Sequence, residues 1–171
     1  QDRLPFVRFF EGYFSVINFD QARESVSSTS KEIFLDTCFL RRQSQSNFYS
    51  FMEACGNKTV VVDFLYDVEF SNATNPGNLL ETPYKITWLE TYATFISATG
   101  TSFSPDVVLV NTASYFTGVV VTTDKGVAKG AYNSGIDFLY QFSIEEAMKY
   151  WSSPLGFVDK FRSEVFKINK L

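Results

Sequence analysis

Apolar residues recur through the first stretch of the chain at the spacing of one helix face. Phe6, Phe9, Phe10, Tyr13, Phe14 and Ile17 fall at intervals of three and four, which predicts an amphipathic helix opening behind Pro5. Gly12 lowers helix propensity within it. Asp20 is placed to cap a short second helix ending at Val26, and Ser27-Ser28-Thr29-Ser30 closes it as a polar loop. Ile33 to Leu40 is short and apolar on both faces, the pattern of a buried strand. Polar residues 41–46 follow. Phe48, Phe51, Met52 and Cys55 then repeat helical spacing, with Ser44 or Ser46 as cap and Gly56 at the end, and predict a third helix.

From Thr59 the period changes to two. Val60, Val62, Phe64, Tyr66, Val68 and Phe70 alternate with Val61, Asp63, Leu65, Asp67 and Glu69, which predicts a long strand with one apolar face. After a loop from Ser71 to Pro83, a second long strand is expected from Tyr84 to about Ile96, with a bulge near Trp88-Leu89. The loop Ala98 to Pro105 leads to expected strands at Val107–Val110 and Tyr115–Thr122. Asp124-Lys125-Gly126 carries hairpin-turn chemistry, with a return strand at about Val127–Tyr132. A last alternating strand holds Ile136, Phe138, Tyr140 and Phe142. Ser143 and Glu146 form a capping box for a helix bearing Ile144, Ala147, Met148 and Trp151. A final helix carries Phe157, Val158, Phe161, Val165 and Ile168.

No repeat or long linker divides the chain, so residues 1–171 are expected to form a single domain, an α+β core over 4–142 and a helical extension over 143–171. The order of elements in the core, helices and a short strand before a run of antiparallel strands, resembles the NTF2-like superfamily. That resemblance implies N-terminal helices packed on a curved antiparallel sheet that forms a cone with an apolar pocket. A lipocalin-like β-barrel is the alternative, although three helical segments would then precede the long strands.

Composition adds one unusual feature: aromatic residues make up 18% of the chain, with 19 Phe. Phe buries a large area without needing a hydrogen-bond partner, so periodicity assigns most of them to packing and leaves some for a lined pocket or apolar interface. The net charge of −4 and scattered basic residues argue against nucleic acid as a partner. The pair Arg41-Arg42 reads as a solvated strand end. No apolar run reaches the roughly 20 residues of a membrane span. Cys38 and Cys55 are the pair for one disulfide, two buried free thiols being the alternative, and Asn57 and Asn72 head glycosylation sequons. Together these lean towards a secreted protein, with a cytoplasmic one as the alternative.

The chain holds no histidine, which removes histidine-dependent nucleophile systems, HExxH zinc sites and imidazole proton shuttles. Gly126, Gly130 and Gly135 lack the context of a phosphate loop. Asp63, Asp67 and Glu69 share a strand face, which reads as solvated rather than as a calcium site. No metal or cofactor is expected. The NTF2-like resemblance includes ketosteroid-isomerase-like enzymes with a tyrosine and carboxylic acids in an apolar pocket, for which Tyr13, Asp36 and Asp137 are the candidates. Three functions are therefore open. The first is a non-catalytic domain whose aromatic pocket or sheet face binds a hydrophobic small molecule or a second copy as a homodimer, lined by Tyr13, Phe14, Tyr66, Trp88, Tyr115 and Tyr140. The second is a carboxylate and tyrosine isomerase or dehydratase. The third is a protein-interaction module of a secreted protein.

Overall fold

The computed structural model describes residues 4–62, 87–89 and 105–142. The chain opens with a β-hairpin rather than the expected helix: β1 (Phe6–Phe10) and β2 (Tyr13–Ile17) pair antiparallel, with Phe10 opposite Tyr13. Glu11 and Gly12 make the two-residue turn at φ 53° and 88°, the left-handed pair that matches the twist of flanking strands. The helical spacing has a different origin. Phe6 belongs to the core on one side of the sheet and Val7 to the core on the other. Large residues at successive positions thus serve two cores and blur the period of two.

Helix α1 (Phe19–Ser28) begins two residues earlier than expected. Asn18 is its cap, accepting the Gln21 N–H at 2.8 Å while the Gln21 side chain accepts the Asn18 N–H at 2.9 Å, a reciprocal capping box. Asp20 lies in its first turn. Strand β3 (Ile33–Leu35) is only the first part of the apolar run expected as one strand, because Asp36 turns the chain into helix α2 (Thr37–Arg42). Arg41 and Arg42 therefore stand in the exposed last turn of a helix, not at a strand end, where they favourably face its negative dipole end. Helix α3 (Gln45–Cys55) is as the spacing predicts, with Ser44 accepting the Asn47 N–H and Gly56 at φ 61° closing it.

Strand β4 (Thr59–Val62) opens where the long strand was expected, and β5 (Thr87–Leu89) falls inside the second. The remainders of both lie outside the described residues, as do Asp63, Asp67 and Glu69, the loop from Ser71 to Pro83, and both C-terminal helices. Helix α4 (Pro105–Phe116) replaces the strands expected at Val107–Val110 and Tyr115 onward, leaving β6 (Val119–Thr122). Helix α5 (Lys125–Asn133) replaces the hairpin turn and return strand. Its buried residues Val127, Ala128 and Ala131 share one helical stripe. Strand β7 (Phe138–Gln141) lies within the expected last strand.

These strands form one mixed sheet in the order β2-β1-β7-β6-β3-β4-β5. The five strands from β7 to β5 are parallel, and the hairpin adds the antiparallel edge. The α+β class is thus as expected, but the sheet is open and largely parallel where an antiparallel one was predicted. Its central strands IFL, VVVT and FLYQ are buried at every position, as strands covered on both faces must be. One core joins α1, α2 and α3 to one face through Phe19, Phe39, Phe48, Phe51 and Met52. The other joins α4 and α5 to the opposite face through Leu109, Ala113, Val127 and Ala131.

Strand β3 therefore leaves through α2 and α3 on one face towards β4, while its neighbour β6 leaves through α5 on the other face towards β7. Two adjacent parallel strands whose connections diverge in this way define a topological switch point, and the crevice beyond their carboxyl ends is where open α/β sheets bind ligands.

Candidate functional site

Asp36 is the residue immediately after β3, and beside it Thr122 ends β6, with Thr123 and Asp124 following. Backbone pairing brings them together: the Asp36 N–H donates to Val121 O at 2.9 Å. Asp36 occupies the cap position of α2, yet its carboxylate does not make the side-chain capping bond of that position. The Thr122 hydroxyl donates to Asp36 Oδ2 at 2.7 Å, and Cys38 Sγ donates to the same oxygen at 3.1 Å. Thr122 Oγ1 also accepts the Asp124 N–H at 2.9 Å, so one buried hydroxyl links the two acidic residues. Asp124 Oδ1 in turn accepts the Gly126 N–H at 2.8 Å and caps α5.

Asp36 is 6% exposed and Thr123 likewise 6%. Thr123 Oγ1 is buried without a hydrogen bond of normal geometry, as is Thr59 Oγ1 at the opposite edge, and it lies against the Cys38 thiol. Burial first, and then the charge of Asp36, push the Cys38 thiol up to about 12, against weaker opposing effects of Thr123 and Thr122. Cys38 is thus a protonated donor at neutral pH and not a thiolate nucleophile. Helix α4 runs down to β6 and packs beside α5, Val110 approaching Gly130. Its first turn, which holds Asp106, accordingly starts at this same edge of the sheet.

The other candidate residues are dispersed. Asp137 precedes β7 at the opposite, amino-terminal edge. There it accepts Lys31 Nζ at 2.9 Å and the Glu11 N–H at 3.0 Å, tying the hairpin turn to the sheet. Tyr13, beside that turn, is 78% exposed. Neither meets Asp36. Phe14 stacks with Phe9 and Tyr132, Tyr140 is fully buried in the same core, and Tyr115 is 79% exposed on α4. Trp88 lies in β5 and its side chain is outside the described residues, as are Tyr66 and Asn72. Asn57 is exposed in the turn before β4.

Cys38 and Cys55 are both free thiols, which corrects the expected disulfide. Cys38 begins the helix above the carboxyl end of β3, whereas Cys55 ends α3 just before β4 starts, at the other edge of the sheet. Asp124 and Thr122 escaped notice in the sequence because VVVTTDKG reads equally as a strand and hairpin turn. The signal present was an acidic residue closing each of two short runs, IFLD and VVVTTD. No known protein family, curated protein or solved structure matches the chain, and none supports the NTF2-like resemblance.

Proposed function

We propose that the chain is a divalent-cation-dependent phosphoester hydrolase whose site lies at the carboxyl ends of β3 and β6. The observation that carries this reading is an aspartate at the carboxyl end of each strand of the switch point, Asp36 directly after β3 and Asp124 two residues after β6. They are linked by the Thr122 hydroxyl, which donates to the Asp36 carboxylate and accepts the Asp124 N–H. Two carboxylates repel a bare phosphate but suit a hard cation that bridges to one. Among the described residues no three His, Cys, Asp or Glu side chains gather around one point. Two carboxylates with hydroxyls nearby is instead a magnesium-type donor set, since Mg²⁺ keeps several waters and takes one or two carboxylates plus substrate phosphate.

The cation would supply Lewis acidity and a more acidic bound water. The chain's own part is orientation. Thr122 and Cys38 hold the Asp36 carboxylate, Gly126 holds that of Asp124, and Lys125, Arg41 and Arg42 stand at the same edge, where anionic substrate would arrive. Hydrolysis of bis(p-nitrophenyl) phosphate with Mg²⁺ or Mn²⁺ tests this. Asp36→Asn and Asp124→Asn should each lower kcat/KM by roughly 100-fold or more, the loss typical of a removed electrostatic stabiliser. Asp137→Asn, at the opposite edge, should not. Absence of cation-dependent hydrolysis, or its survival in both site variants, overturns the reading.

A second reading keeps the expectation of a hydrophobic ligand or self-association, to which the NTF2-like cone and its aromatic pocket also belong. It is supported by exposed Tyr115 and by Val107 and Phe116, each 40% exposed, on α4. Light scattering decides the self-association form: a dimer that Tyr115→Ser dissociates supports it, and a wild-type monomer removes it.

A further inference from the structure

Asp36 Oδ2 receives donors from two different elements. The Thr122 hydroxyl reaches it from β6 at 2.7 Å, and the Cys38 thiol reaches it from the first turn of α2 at 3.1 Å. Sulfur and hydroxyl also lie within 3.6 Å of each other, so the three atoms form a closed triangle. Rotation of the carboxylate about its last bond would break both donor contacts at once. Thr122 is further fixed by the Asp124 N–H, and the Cys38 thiol lies against Thr123 as well. Core packing does not explain its position. The inward-facing residues of α2 are Phe39 and Leu40, which belong to the core, while Cys38 is only partly buried and points to the carboxylate.

We propose that Cys38 is a positioning residue for the cation site: its S–H holds the Asp36 carboxylate in the orientation that binds the metal. This rests on the reading of the switch point as a cation site. Hydrogen-bond partners of ligating carboxylates typically account for 10- to 100-fold in metal affinity. A serine at this position keeps a donor of similar reach, whereas an alanine removes it with little change of volume.

Calorimetric titration with Mn²⁺ separates the outcomes. Cys38→Ala should bind about tenfold or more weakly than wild type, in the range for such partners, and Cys38→Ser should bind close to wild type. Near-ultraviolet circular dichroism of both variants should match wild type. Equal Mn²⁺ affinity in wild type and Cys38→Ala overturns the role of Cys38 and leaves the cation site standing. No Mn²⁺ binding by wild type overturns both. Should Cys38→Ala fail to fold, the S–H stretching band of wild-type protein decides instead. The Cys38 band should shift when Mn²⁺ binds while that of Cys55 stays fixed, and an unmoved Cys38 band overturns the assignment.

Discussion

The turn leaving α4 places Thr117 at φ 54°. The Gly118 N–H bonds to Ala113 O and the Thr117 N–H to Ser114 O, the paired bonds of a helix ending that wants glycine at its left-handed position. The same bonds recur after α5, where Gly135 fills the position at φ 70°. A β-branched residue there carries about 1–2 kcal/mol of local strain. Thr117→Asn is therefore expected to stabilise the protein by about 1 kcal/mol and to raise Tm by roughly 2–4 °C; an unchanged or lower melting temperature contradicts the strain. Cys55 makes a second prediction. Burial pushes its thiol from 9.0 up to about 12, so above pH 9.0 the unfolded chain loses this proton before the folded one does. Its contribution is complete below the unfolded value and is lost as pH climbs towards the folded one. Urea midpoints measured below and above the ordinary thiol pKa should fall less in Cys55→Ala than in wild type, and an equal fall in both would contradict it.

Elements show where sequence reasoning held and where it could not. Helix α3 was legible because it has one buried face, a serine cap and a terminal glycine. The hairpin, α4 and α5 were not, and for one shared reason: a sheet covered on both faces removes the alternation that separates strand from helix. In FVRFF and YFSVI the large residues feed two cores, so their spacing imitates a helix. In DVVLVNTA the β-branched residues point to a strand, yet Val108, Leu109 and Ala113 are buried because α4 packs against both the sheet and the neighbouring α5. The candidate site suffered from the same confusion. Asp36 was noticed for its apolar neighbours, but Asp124 was read as a turn because α5 was taken for a strand. The hairpin itself is testable at Glu11, a poor residue for φ 53°. Asn-Gly is the preferred pair for this turn, and Glu11→Asn should stabilise by about 0.5–1 kcal/mol by analogy with other conformational matches. Loss of stability would argue against the hairpin.

At the scale of the whole molecule, the diverging crossovers on either side of β3 and β6 are what give the chain a site. Lys31 and Asp137, with the Lys58 ammonium donating to the carbonyls of Val26, Ser27 and Thr29, brace the amino-terminal edge. That edge is a structural seam. The carboxyl edge instead gathers Asp36, Thr122, Thr123 and Asp124, and it begins the two helices that cover one face. A fold that concentrates carboxylates at a switch point makes a definite claim about affinity. The most direct measurement is Mn²⁺ binding followed by electron paramagnetic resonance in wild type, Asp36→Asn and Asp137→Asn. The account predicts that wild type and Asp137→Asn quench the free-ion signal alike, and that Asp36→Asn leaves it essentially free. Equal binding by all three, or binding by none, would contradict it.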